Sequence, residues 1–153
     1  MERSLKMNEI RISHDYCHDA QSVWELLEDF ANIERWWPKG DGAIRIEKVV
    51  LEGEGIGLTR HIYNEGFPHA ISERLDYLDP ENRVYKLSMV DEIPAGITEY
   101  QATGKIVETD KGCRLEYFSQ FSADEKAVDT AREFLLGAYD LMFNGLDEAL
   151  SKA

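Results

Sequence analysis

From Ile10 to Tyr16, apolar and polar residues alternate with the period of a half-buried strand. Asp19 then offers an N-cap to a helix whose apolar set is Val23, Trp24, Leu26, Leu27 and Phe30. A second short helix runs through Ile33 and Glu34 and stops near Trp36-Trp37-Pro38, because proline disfavours helical geometry in the residue before it. From Ile44 to Ser122 the pattern reads as about six consecutive strands. They are separated by turn chemistry at Gly53-Glu54-Gly55, around Gly66, at Asp79-Pro80-Glu81-Asn82, from Ile93 to Gly96 and at Asp110-Lys111-Gly112. With no helix between them, these strands pair as an antiparallel meander.

The pattern then changes to helical spacing over Asp124 to Leu150, with Ser122 and Glu125 at capping-box distance and no internal proline. One stripe of this helix carries Ala127, Ala131, Phe134, Leu135, Ala138, Met142, Gly145, Leu146 and Ala149. Its many small residues permit either close packing on the sheet or an enclosed cavity. Leu136, Tyr139 and Phe143 extend the apolar surface sideways, towards a second subunit of a homodimer or towards the short helices. The fold class that follows is α+β: a curved antiparallel sheet of about seven strands wrapped around one long C-terminal helix, with two short helices between the first two strands. Pairing of the first strand with the last puts Cys17 and Cys113 on neighbouring strands.

Strand alternation also assigns the concave face. Tyr85, Leu87 and Met89 share it with Tyr100, Ala102, Gly104 and Ile106 and with Leu115, Tyr117, Ser119 and Phe121. Lys86, Glu99, Gln101, Lys105, Arg114, Glu116 and Gln120 form the solvated side. In the hairpin around Gly66, Leu58, Arg60, Ile62 and Asn64 face inward, as do His69, Ile71, Glu73, Leu75 and Tyr77. A four-residue loop, Glu65-Gly66-Phe67-Pro68, then sets Asn64 against His69, Ile62 against Ile71 and Arg60 against Glu73. A cation and an anion on an apolar face must be paired or matched by a ligand, because an isolated buried charge is costly.

A length of 153 residues suits one domain spanning 1–153 with a real core. A net charge of -13 argues against nucleic acid and anionic membrane surfaces, which reward positive patches. The first ten residues lack the apolar core of a secretory signal and no later run is long enough to span a bilayer, so the expectation is a cytoplasmic protein without membrane insertion. The two cysteines read as reduced structural thiols rather than a zinc or redox pair. His14, His18, His61 and His69 are scattered, with only His69 assigned to the inner face, so neither a metal nor another cofactor is expected. Gly42, Gly53, Gly55 and Gly57 are loop glycines, since no strand-to-helix context makes them a phosphate cradle.

In this order of elements the chain resembles the START-like, or Bet v 1-like, superfamily with its helix-grip fold, and within it the polyketide cyclase/dehydrase and lipid-transport family. Three stretches carry the resemblance: Ala20 to Trp37 with Val-Trp-Glu-Leu-Leu and Trp-Trp-Pro, the run Ser72 to Asp79 followed by Asn82-Arg83-Val84, and the terminal helix. The Glu73-Arg74-Leu75-Asp76 stretch is also similar to that of the plant abscisic acid receptors, where a Gly-Leu-Pro-Ala gate precedes it. That resemblance implies a gate at Gly66, Phe67, Pro68 and His69, a pocket glutamate at Glu73 and a pocket tyrosine at Tyr100. The receptors' anchoring lysine has no clear counterpart at Arg35 to Pro38, and their His-Arg-Leu latch is replaced by Ala95-Gly96-Ile97, which argues against a hormone receptor. A shared fold implies a cavity and says little about chemistry.

The residues so assigned to ligand binding are Arg60, Ile62, Asn64, Phe67, Pro68, His69 and Glu73 from the hairpin; Tyr85, Leu87, Met89, Tyr100, Tyr117 and Ser119 from later strands; and Phe134, Ala138 and Met142 from the long helix. Trp36 and Trp37 are placed near the mouth of the cavity. No catalytic residue is assigned: an arginine-neutralised glutamate is a poor proton shuttle, and Ser119 lacks a His and Asp at any recognisable spacing. The leading expectation is binding of a hydrophobic or amphipathic small molecule, lipid-like or polyketide-like. A polyketide cyclase/aromatase or dehydratase that orients its substrate with Arg60, Glu73 and the tyrosines is the first alternative, and a chaperone-associated interaction module the second.

Overall fold

The computed structural model describes residues 7–40 and 44–152, so Gly42 lies outside the described residues. The elements run β1 Asn8–Tyr16, α1 Ala20–Glu28, a 3-10 segment Phe30–Arg35, β2 Ile46–Glu52, β3 Thr59–Asn64, β4 Ile71–Asp79, β5 Val84–Val90, β6 Ile97–Thr109, β7 Gly112–Ala123, and α2 Val128–Ser151. All seven strands form one antiparallel sheet in the order β1-β7-β6-β5-β4-β3-β2, the expected helix-grip architecture.

Local chemistry explains the starts and stops. The Asp19 carboxylate accepts from the Ser22 amide at 2.9 Å and caps α1, whose buried face is Ala20, Val23, Trp24, Leu26 and Leu27. The chain breaks at Asn32 and ends the 3-10 segment before Trp36, as Pro38 requires. Tyr16 pairs with Cys113 across β1 and β7, so the strand order is the expected one; Cys17 lies one residue past the end of β1, and both cysteines are free thiols.

Four expectations are corrected. The α2 helix begins at Val128 rather than Asp124, after a 3-10 turn Glu125–Ala127, and the capping box does not form. Ser122 belongs to β7, where its hydroxyl bonds that of Thr98 at 2.8 Å. In β4 the register shifts between Leu75 and Tyr77, and this bulge turns Tyr77 from the inner face to solvent. The β3–β4 ladder ends at Ile62 and Ile71, so the loop spans 65–70 and Asn64 does not pair with His69. Tyr139 and Phe143 are buried inside the fold, leaving Leu136 as the exposed member of the set read as facing a partner.

Close approach between the sheet, the short helices and α2 depends on missing side chains. A Cβ on Gly104 would collide with the Tyr85 ring, which lies across β6 at that point. On Gly145 it would strike the Trp36 carbonyl and Pro38, so this glycine lets α2 meet the segment that closes one end of the interior. Gly137, one face away on the same helix, has open space around it. Gly145→Ala is therefore expected to lower stability by about 1–3 kcal/mol through overpacking. Gly137→Ala should raise it by about 0.5–1 kcal/mol through helix propensity. Urea midpoints at unchanged slope check the opposite signs.

Candidate functional site

Between the concave sheet face and α2 lies a cavity of about 90 Å³. Its hairpin wall is Arg60, Ile62, Asn64, Ile71 and Glu73; its floor is Tyr85, Leu87, Met89, Tyr100 and Tyr117; α2 supplies Phe134, Leu135, Ala138, Tyr139 and Met142. Leu27 and Ile33 from the short helices, and Trp36, Trp37, Ile44 and Ile46 from the segment leading to β2, complete it. The volume matters. Ligand pockets are usually ~300–1,000 Å³, and even benzene uses a cavity of roughly 150 Å³. The space as it stands admits a few water molecules.

The pairing of β3 with β4 sets Arg60 opposite Glu73. Arg60 Nε and Nη2 both point to Glu73 Oε1, at 2.9 and 2.8 Å. Nη1 donates to the Phe30 carbonyl at 3.0 Å, while the guanidinium lies 3.8 Å from the centre of the Phe30 ring. The cation is thus held by an ion pair, a backbone acceptor and an aromatic face. Glu73 Oε2 has no protein partner among the described residues, which leaves a carboxylate oxygen on a residue that lines the cavity.

A second polar group crosses the interior. Tyr139 donates to Ser119 Oγ at 2.7 Å, so the 2.6 Å contact between the Tyr100 and Tyr139 hydroxyls has Tyr100 as donor. The Tyr117 ring meets that of Tyr139 edge-on at 4.9 Å. Burial pushes Tyr85, Tyr100 and Tyr117 far above the ordinary phenol range. Burial also raises Tyr139, to about 12, against the lowering effect of its hydrogen bonds to Ser119 and Tyr100. These hydroxyls are neutral donors at physiological pH. A carboxylate oxygen and neutral phenols on an otherwise apolar wall can orient a hydroxyl, amine or carbonyl. Among the described residues, no group of three or more His, Cys, Asp or Glu is placed to hold a metal ion.

Of the residues assigned from the sequence, Arg60, Ile62, Asn64, Glu73, Tyr85 and Leu87 line the cavity, as do Met89, Tyr100, Tyr117, Phe134, Ala138 and Met142. Phe67 sits half-buried outside the lining, its ring 6.3 Å from that of Phe134. Pro68 and His69 are exposed and do not reach the interior, because strand pairing stops two residues beyond His69. Ser119 is fully buried behind Tyr139 and lies off the lining. His14, not His69, is the inward histidine: it stacks on Phe143 with ring centres 5.2 Å apart. Tyr139 is the polar residue that sequence reading left out of the site. Its spacing of four from Leu135 and three from Met142 was the available signal.

Residues 10–151 match the family described as polyketide cyclase / dehydrase and lipid transport. The chain belongs to this family. Among solved structures, norcoclaurine synthase from Thalictrum flavum is 19% identical with a TM-score of 0.79, covering 97% of this chain and 88% of its own. The Zhui aromatase/cyclase from Streptomyces sp. R1128 is 18% identical at a TM-score of 0.76, covering 94% of each chain. A Thermobifida fusca protein solved by NMR is 25% identical at a TM-score of 0.76, covering 92% of this chain and 91% of its own. Identities this low establish the shared helix-grip fold of the polyketide cyclase/dehydrase family and leave its interior chemistry open. No curated protein matches the chain. No helix among the described residues is long and apolar enough to cross a membrane.

Two outcomes follow for this family member. Arg60→Met or Glu73→Leu alone should destabilise by about 3–5 kcal/mol, since each leaves a buried charge without its partner. The double variant should recover most of that loss in denaturant titrations. The second outcome concerns pH. The folded state holds the phenolic protons of Tyr16, Tyr85, Tyr100, Tyr117 and Tyr139 more tightly than the unfolded chain does, because burial raises all of them. Above the unfolded phenol value of about 10, the unfolded state therefore binds fewer protons and stability must fall as pH rises. Tyrosinate absorbance from the buried five should appear only as the fold is lost.

Proposed function

We propose that this protein binds a small hydrophobic or amphipathic molecule between the sheet and α2, with Arg60, Glu73 and the tyrosine hydroxyls fixing its polar group. The observation that carries this reading is the Glu73 oxygen without a partner among the described residues, at an apolar cavity wall and held in place by a guanidinium whose own contacts are internal. The favoured ligand is a ring or chain bearing a hydroxyl or amine to donate to Glu73 and an acceptor for a tyrosine. A norcoclaurine synthase structure from Thalictrum flavum, 18% identical, holds dopamine and hydroxybenzaldehyde, both of which carry such groups on a ring. Because the cavity holds about 90 Å³, binding requires it to enlarge. Phe67 against Phe134 and Trp37, whose indole donates to the Ile44 carbonyl at 2.6 Å, are the contacts at the rim that must give way.

The family also contains cyclases, and a second reading makes the same interior an aromatase/cyclase or dehydratase site. Neutral phenols beside the Arg60–Glu73 pair favour it, since together they can orient and polarise a substrate carbonyl. The small closed volume favours a third, an interaction module that holds no ligand and works with chaperones. The exposed free thiol of Cys17 fits a reducing, cytoplasmic setting, and the domain spans 1–153.

Binding of 2-naphthol and of naphthalene, followed by native mass spectrometry and calorimetry, separates these readings. Naphthol is expected to bind about tenfold or more tighter, the effect of one hydrogen bond to a charged acceptor. Glu73→Gln should erase most of that difference while naphthalene binding stays. If neither compound binds at any accessible concentration, the interaction-module reading replaces ours. Turnover of a poly-carbonyl substrate that Glu73→Gln abolishes with binding retained selects the enzyme.

A further inference from the structure

The sheet ends at β2, whose outer edge is unpaired among the described residues. Such an edge presents backbone donors and acceptors to any strand that fits it. Here it is also apolar: Val50 and Leu51 are 45% and 47% exposed, and Ile56 in the following turn is 60% exposed. The one irregularity, between Ile46 and Lys48, leaves Lys48 to Glu52 as a regular stretch. Lys48, Val50 and Glu52 share the outer face with Tyr63 and His61, while Val49 packs against the core on the inner face. We propose that two copies of this chain join through β2, antiparallel about a two-fold axis at Val50, so that Lys48 of each copy faces Glu52 of the other.

Symmetry and charge select this register. A two-fold axis normal to the sheet keeps the outer faces of both copies together, and only residues of the same parity can then oppose each other. Centring on Lys48 sets two lysines opposite, and centring on Glu52 sets two glutamates opposite; like charges directly across a ladder are destabilising. Centring on Val49 sets Lys48 against Val50 and Glu47 against Leu51, and centring on Leu51 sets Glu52 against Val50 and leaves Lys48 opposite a position beyond the end of β2. With Val50 at the centre there are two Lys48–Glu52 pairs, two Val49–Leu51 pairs on the inner face, and Glu47 opposite Gly53 rather than another acid. Glu52 has the exposure to do this, at 77% for its side chain, although its Oε1 also contacts His61 at 2.9 Å. Lys48, over the Tyr63 ring at 4.8 Å, lies on the same face. Both copies keep their helices on one side of a continuous sheet. A five-residue junction falls below the ~1,200 Å² of a standard interface, so the association is weak, with a dissociation constant in the micromolar range.

Sedimentation of the full chain over about 5 to 500 µM reads the association directly. The wild type should shift from monomer to dimer. Lys48→Glu or Glu52→Lys should each weaken dimerisation at least tenfold, and the double swap should restore it to within threefold. Monomer throughout the range, or a swapped double no better than the singles, would overturn the proposal. An independent readout is oxidative cross-linking of Val50→Cys in a Cys17→Ser background, since opposed Cβ atoms in a ladder come within disulfide reach. The cross-link should form faster than with Leu136→Cys in the same background; equal rates would overturn the junction at Val50.

Discussion

The interior is organised around the Arg60 guanidinium. It ties β4 through Glu73 to β3, and both to the 3-10 segment through the carbonyl and ring of Phe30. Three elements remote in sequence meet at one cation, and each contact removes a reason for the charge to seek water. The net contribution of such a pair to stability is small, because desolvation offsets most of the attraction. Its effect is on specificity: a slip of one residue in the β3–β4 register would carry Glu73 to the solvent face and strand Arg60. The same arrangement uses Glu73 Oε1 twice and leaves Oε2 over, so the contact that fixes the fold also leaves a polar atom for a ligand.

The tyrosines act differently. Tyr85, Tyr100, Tyr117 and Tyr139 fill the space between sheet and helix with rings that are apolar in bulk and polar at one atom. Gly104 accommodates the Tyr85 ring, and the Tyr100–Tyr139–Ser119 chain satisfies the deepest hydroxyls. The result is an interior packed nearly shut. Small residues along α2 are therefore used for close approach, as at Gly145 against Trp36, rather than to hold open a large void.

Much of this was legible in the sequence because strand alternation is strict. The pairing of Arg60 with Glu73, Leu87 with Ala102 and Ala102 with Ser119 follows from period two and the positions of the turns. Family resemblance at Ser72 to Asp79 and in the terminal helix agreed with that register. What could not be read was local departure from period. The bulge after Leu75 turned Tyr77 outward, and two unpaired residues at the hairpin end took His69 off the inner face. A plausible capping box failed because Ser122 had a better partner in Thr98 across the ladder. Tyr139 was misplaced because helical spacing gives a stripe but not its width, and a strongly curved sheet contacts more of a helix than a flat one. Cavity volume lies beyond pattern altogether, since it depends on side-chain rotamers.

The closed volume bears on how such a site can work. Enlarging a void from about 90 Å³ to the ~300 Å³ of a small ligand pocket costs about 5 kcal/mol while it stays empty, at ~24 cal/mol per Å³. That is comparable to the stability of many domains of this size, so the unliganded interior is driven to collapse on itself. A ligand that buries ~200 Å² of apolar surface recovers the same amount at ~25 cal/mol per Å². Apolar burial alone then only balances the cost of opening. Selectivity and net affinity must come from the few polar atoms left without protein partners, and Glu73 Oε2 is the one whose geometry is fixed on the other side by Arg60. On the proposed reading, the hydrophobic wall decides that something can enter, and the ion pair decides what stays.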